Sequence, residues 1–222
     1  MPRESIPLVR LGGFTDAEKF YVLSYEGTKS EKKYFEDLRQ SKYFNDSGQI
    51  ETIPLKRPKN AGSNPISVKS LLSQAKKDYN FKSTDEFWLI IDRDDWEKIH
   101  RLDISALVED CKKEKNFFMA MSNPCFEIWL ILHLTPLSTF SEDEQRAIFE
   151  NKKISANKNH IDEVLANCIK NGRGYNKTPD PRLFLPKVYD AIVNAKRIAS
   201  TEEDYPSRIG TDVYKLVEKL IK

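Results

Sequence analysis

The chain is poor in the residues that most readily announce a site. Its three cysteines, Cys111, Cys125 and Cys168, are odd in number and widely spaced. They form neither a zinc-ligand pattern nor a disulfide framework, and a reducing cytoplasm is the home they predict. Three scattered histidines argue against a His-rich metal centre or a Cys/His nucleophile pair. No apolar run approaches the roughly 20 residues that span a bilayer, so no membrane partner is expected. The opening stretch MPRESIPLVR has no apolar core of the kind a secretory leader carries. No phosphate-binding Gly-x4-Gly-Lys-Ser/Thr loop occurs, which argues against ATP hydrolysis through one. Charge of one sign is also missing: 36 Lys and Arg face 34 Asp and Glu, a net +2. Binding to nucleic acid would therefore need a local basic patch rather than a global field.

What the chain does have is FWLIIDRDD, residues 87–95. A bulky apolar run too short for a helix leads straight into acids, the pattern of a strand buried on both faces. Carboxylates just past such a strand lie at the carboxyl edge of an open α/β sheet, where ligands bind. Asp92 and Asp94 are two apart and share one side of extended chain. Two hard oxygen groups so held suit Mg²⁺, although a strand followed by an acidic turn has the same sequence.

The remaining pattern alternates. Strands are predicted over 20–25, 50–55, 87–91 and 116–121, with helices starting near Lys29 and over 67–79 and 104–115. Thr28 and Glu31 have capping-box spacing. The order β-α-β-α-β-α-β predicts an α/β fold, a mainly parallel sheet with helices on both faces. Pro124 suits the first turn of a buried helix over 126–134, FEIWLILHL, which carries Glu127 and His133. Beyond Pro136 the segments 141–150, 160–170, 182–200 and 211–221 all read as helical. The organisation expected is a loosely ordered segment 1–18, an α/β core 19–135, and a helical C-terminal part 136–222 packed on it.

Acids fall at or just after several strand ends: Glu26 with Glu31 one turn on, Asp92 with Asp94 and Asp95, and Glu127. In a parallel sheet they share one edge, where they repel unless a cation or protons intervene. Bound Mg²⁺ or Mn²⁺ there could activate water and stabilise charge at phosphorus, so metal-dependent phosphodiester hydrolysis or transfer is the chemistry suggested. Two loops could contact phosphates. One carries Lys56, Arg57 and Lys59. The other carries Arg173, Tyr175 and Lys177, with an aromatic ring able to stack on a base. Each group also has a plain structural reading: Glu31 as part of the capping box, Glu127 in an ion pair, Ser122 and Asn123 as helix caps, the basic loops as solvated surface.

Three stretches resemble the RloB family, itself similar to the Toprim-fold nucleases. They are Glu26-Gly27-x-x-Ser30-Glu31-x-x-Tyr34-Phe35, with Ser30 where the family has Thr, the pair Asp92-x-Asp94, and Ser122-Asn123-Pro124-Cys125-Phe126-Glu127-Ile128-Trp129-Leu130 with His133 following. Tyr175-x-Lys177 and Thr211-Asp212-Val213 match more weakly. The resemblance covers nearly the whole chain and implies a Toprim-like fold. It implies Glu26 as ligand or general acid/base, Asp92 and Asp94 as Mg²⁺ ligands, and Glu127 as a further catalytic acid. Glu31, Ser122 and Asn123 are candidates for a second metal or its support. It also implies a bacterial phage-defence effector linked to abortive infection, cleaving RNA such as tRNA, or DNA, beside a partner ATPase. A homodimer is compatible with this reading. The alternative is a non-catalytic regulatory or sensor subunit that binds nucleic acid or the ATPase.

Overall fold

Strand β3 (Glu86–Asp92) lies at the centre of the sheet, between β1 (Lys19–Tyr25) and β4 (Phe117–Asn123). The computed structural model describes residues 19–27, 29–46, 50–55, 64–78, 81–93, 96, 103–169, 175–200 and 202–222. The first four strands, with β2 (Ile50–Pro54), run parallel. Helices α1 (Ser30–Arg39), α2 (Pro65–Asp78) and α3 (Ile104–Lys112) alternate with them. This is the α/β architecture, mainly parallel and flanked by helices, that the alternation predicts.

Period-two alternation sorts the strand side chains onto two faces. Tyr21, Leu23, Tyr25, Trp88, Ile90 and Ala120 join Tyr34, Phe35 and Leu38 of α1 in the larger core. Val22, Phe87, Leu89, Ile91 and Met121 join Val68 and Leu72 of α2 and Ile104 and Val108 of α3 on the other face. Near-continuous hydrophobicity in FWLII follows from both faces being covered.

Helix α4 (Glu127–Leu134) is buried along almost its entire length, as a helix apolar on all sides but for Glu127 and His133 must be. It begins three residues after Pro124, which therefore sits before the helix rather than in its first turn. The C-terminal part continues through α5 (Glu142–Glu150), a short hairpin of β5 (Lys153–Ser155) and β6 (Lys158–Asn159), and α6 (His160–Ile169). The hairpin was not expected; its short, polar strands carry no hydrophobic alternation. The single helix expected over 182–200 is broken into α7 (Pro181–Phe184), a 3-10 turn at Leu185–Lys187 and α8 (Val188–Ile198). Pro186 lacks the N–H that a continuous helix would use there.

The last segment supplies two elements where one helix was expected. Gly210–Thr211 form β7, antiparallel to β4, and α9 (Val213–Leu220) follows. Side chains of α8 and α9, including Val188, Ala191, Leu216 and Leu220, belong to the same continuous core as β1, β3 and α4. No helix among the described residues is long and apolar enough to cross a membrane.

Candidate active site at the strand ends

Glu26 is the first residue past β1, and β1 pairs with β3 so that Tyr25 lies opposite Ile90. The Glu26 N–H continues this ladder by donating to Ile90 O at 2.9 Å. Its side chain then reaches across to the end of β3. Oε2 accepts from the Asp92 backbone N–H at 3.1 Å, and Oε1 accepts from the Trp96 indole N–H at 2.9 Å. Parallel pairing and one carboxylate thus bring Glu26 and Asp92 to the same edge of neighbouring strands, as the sequence predicts. Asp94 and Asp95 lie outside the described residues, so the expected Asp-x-Asp pairing is represented only by Asp92.

A carboxylate has about four lone-pair sites. Glu26, 9% exposed, uses two of them on these N–H donors, which fix its rotamer. Asp92 is half-buried. The donors are hard oxygens of the kind Mg²⁺ takes. Among the described residues no third His, Cys, Asp or Glu gathers with them.

A second polar cluster lies on the α1 side. The expected capping box of Thr28 with Glu31 lies outside the described residues, since Thr28 does; the helix cap at Lys29 makes no side-chain bond. Glu31 Oε1 accepts from the Gly27 N–H at 2.9 Å. A Cβ at position 27 would overlap both Glu31 carboxylate oxygens, so any larger residue there would have to displace the Glu31 carboxylate. Burial pushes the Glu31 carboxyl up to about 7, and the nearby Glu127 carboxylate adds to the shift.

Glu127 opens α4 from inside the protein, 3% exposed. Its Oε1 accepts from Ser30 Oγ at 2.9 Å and pairs with Lys177 Nζ at 3.1 Å. With the Ser30 proton committed to Glu127, the Tyr175 hydroxyl is the donor in its 2.8 Å contact to Ser30 Oγ. Lys177 also meets Asp162 Oδ1 at 2.6 Å, as an ion pair outside good hydrogen-bond alignment. The second Asp162 oxygen accepts from the Asn159 N–H at 2.9 Å. Burial disfavours the Lys177 cation, but Glu127 and Asp162 more than offset it and hold its pKa above the usual lysine value. Burial and the Glu127 charge raise the Tyr175 phenol.

Tyr175 and Lys177, expected on a nucleic-acid surface, therefore point inward, and Glu127 is tied into an internal ion cluster. Lys56, Arg57, Lys59 and Arg173 lie outside the described residues. Ser122 and Asn123 hold the C-terminal segment: Ser122 Oγ contacts Thr211 Oγ1 at 2.8 Å, and Asn123 Nδ2 donates to Pro206 O at 3.0 Å. His133 is a satisfied core residue, its Nδ1 2.8 Å from Trp129 O and its Nε2 3.1 Å from the Tyr34 hydroxyl. Burial lowers its pKa to about 3, keeping it neutral.

Sequence reasoning missed Trp96, Asp162 and the bonding role of Ser30. Ser30 stood inside a family motif, which was a usable signal. Trp96 directly follows the acidic run but has no periodicity to mark it. Asp162 gave none, because its burial depends on a lysine 15 positions away.

A model of the RloB-like protein family matches residues 21–220. The chain belongs to that family. Curated proteins and solved structures gave no match. The match runs from within β1 to the end of α9. RloB-like membership thus takes in the strand-end pair, the Glu127–Lys177 cluster and the C-terminal segment, rather than the α/β half alone.

Proposed function

We propose that this RloB-like chain is a metal-dependent nuclease whose reacting centre is the strand-end edge at Glu26 and Asp92. The observation that supports this most is the Glu26 carboxylate held across to the end of β3 by the Asp92 N–H and the Trp96 indole. That places two acids from separate strands at the edge where open α/β sheets bind ligands. Glu26 and Asp92, with Asp94 following, would hold Mg²⁺ or Mn²⁺. The ion would supply an activated water and stabilisation of developing phosphate charge.

Trp96 and the Asp92 N–H fix Glu26 in one orientation, with its carboxylate held at the strand-end edge where it would take part in proton transfer. Glu127 acts in this reading as a positioning residue, because its Oε1 is engaged by Ser30 and Lys177. RNA such as tRNA, or DNA, is the substrate class. Phage defence, abortive infection, a partner ATPase and a bacterial cytoplasmic setting come from the family resemblance.

Cleavage of labelled RNA and DNA with Mg²⁺ or Mn²⁺ tests the proposal. Asp92→Ala and Glu26→Gln should each lower the rate by about 10²–10⁴-fold, the usual range for a lost acid/base or ligand role. Metal binding is read independently from Trp96: adding Mn²⁺ should change tryptophan emission in the parent and not in Trp96→Phe. Unchanged cleavage in Asp92→Ala would refute the assignment. A non-catalytic binding subunit is the second reading, consistent with Glu127, Tyr175 and Lys177 being engaged with one another rather than at the strand-end edge. It requires nucleic-acid or ATPase binding without turnover, and binding that survives loss of both acids.

A further inference from the structure

We propose that the pocket between the end of α8 and residues 202–212 holds a backbone phosphate of a single-stranded nucleic acid beside the strand-end edge; the proposal rests on the nuclease reading. The cavity measures about 280 Å³ and is lined by Arg197, Ser200, Glu203, Tyr205, Arg208 and Asp212, among others. Arg197 and Arg208 are exposed, and neither makes an ion pair or hydrogen bond among the described residues. Other cations of this surface, such as Lys69, Lys76, Lys112 and Lys196, are matched with acids. A guanidinium offers a planar fork that fits phosphate oxygens two at a time.

The acids in the lining are already committed. Glu203 accepts from Ser207 Oγ at 2.6 Å and from the Ser207 N–H at 3.3 Å, contacts that hold its carboxyl below the usual range. Asp212 pairs with Lys215 at 2.7 Å. Glu203 compensates Arg208 in part without a direct ion pair, while Arg197 faces the pocket with no acid paired to it among the described residues.

Position links the pocket to the proposed centre. Thr211 pairs with Ser122, and Ser122 with Asp92. The pocket flank is thus two strand spacings from Asp92, each about 4.8 Å. Arg93 Nη1 donating to Ser207 O at 2.7 Å and Asn123 donating to Pro206 O at 3.0 Å fix the 202–212 segment at this edge.

Size and packing favour a phosphate over a base. The cavity is smaller than the roughly 300–1,000 Å³ of sites that enclose drug-sized molecules. The Tyr205 ring is not free for stacking, because the Arg93 guanidinium lies 5.7 Å from its centroid, and its hydroxyl is 3.1 Å from Ser105 Oγ. Recognition by charge alone makes the contact independent of base sequence.

The test is fluorescence anisotropy with labelled 20-nucleotide single-stranded RNA and DNA in EDTA, so that no cleavage is needed. Arg197→Ala/Arg208→Ala should bind at least tenfold more weakly on both strands and lower the salt slope by about 1–2. Arg146→Ala, which removes an exposed cation paired with Asp143, should bind like the parent. Near-UV circular dichroism checks that the double variant is folded. Equal binding by parent and double variant overturns the proposal, as does a parent that binds neither strand. Competition by inorganic pyrophosphate at concentrations where oligonucleotide is not held would assign the pocket to free phosphates and overturn the strand contact. Oligonucleotide binding lost in the double variant, from a parent that cleaves nothing, would leave the pocket standing and remove the nuclease reading.

Discussion

Replacing Lys177 by Met removes the one cation among the described residues that joins Glu127 and Asp162, while keeping a side chain of similar length. The Glu127 and Asp162 side chains are only 4% and 3% exposed. Breaking a buried ion pair by deleting one partner typically costs about 3–5 kcal/mol, because the remaining charge stays desolvated. Here two features reduce that cost. The Lys177 side chain is 34% exposed, so water screens the site and can replace part of the ammonium. Glu127 also keeps Ser30, and Asp162 keeps the Asn159 N–H. The expected loss is therefore about 2–3 kcal/mol. For a chain of this size that lowers Tm by about 4–12 °C. Urea unfolding followed by near-UV circular dichroism measures it. Lys32→Met, which breaks an exposed pair with Glu36, should cost under about 0.5 kcal/mol. Lys177→Met/Glu127→Gln should be less destabilised than the sum of its parts, since the orphaned Glu127 charge is gone. If Lys177→Met unfolds within about 0.5 kcal/mol of the parent, the ion cluster does not hold this segment to the core and the electrostatic argument fails.

Two further predictions concern the turn after β1. The Glu31 carboxyl titrates near 7 in the folded protein and near 4.5 when free. Between these values the folded state binds more protons than the unfolded one, so this group makes stability fall as pH rises from about 4.5 to 7, with the full loss present above 7. Glu31→Gln should flatten that part of the stability–pH curve, measured by urea midpoints at half-unit steps; an unchanged curve would show that Glu31 is not responsible. Gly27→Ala forces the Glu31 carboxylate off the Gly27 N–H in a buried site and should cost about 1–3 kcal/mol. In a Glu31→Ala background the same substitution should cost clearly less, a comparison read by thermal unfolding.

The sheet was legible because burial on both faces writes itself into composition. FWLII could be nothing but a covered strand in an alternating chain, and Glu26 and Asp92 were then placed by strand order alone. Parallel pairing decides that the ends of β1 and β3 share an edge, with no knowledge of side-chain contacts needed. The acids beyond that edge were less legible. Glu127 was recognisable as a costly acid in an apolar helix, but its partner depends on a loop bending back from far along the chain. Tyr175 and Lys177 look like surface recognition residues because a lysine and a tyrosine in a glycine-bearing loop carry no sign of their direction. Only the match of their positions to buried Ser30, Glu127 and Asp162 turns them inward. Thr211 failed as a helix residue for a related reason: two residues are too few for an alternation, and its strand exists because β4 offers an open edge.

The chain closes on itself late. Phe44 pairs with Ile221, the Asn45 N–H donates to Leu220 O at 2.8 Å, and the Lys222 N–H donates to Tyr43 O at 3.1 Å. This backbone clasp joins the first β-α unit to residues made much later, and β7 lies in the same stretch. During synthesis, the strands that carry Glu26 and Asp92 emerge long before either closure can form. At about 5–20 residues per second, the growing chain spends roughly 5–20 seconds between completing β4 and making the residues that cover its edge. A chaperone that shields strand edges has its longest opportunity in that interval, and translation speed through residues 124–209 sets how long it lasts.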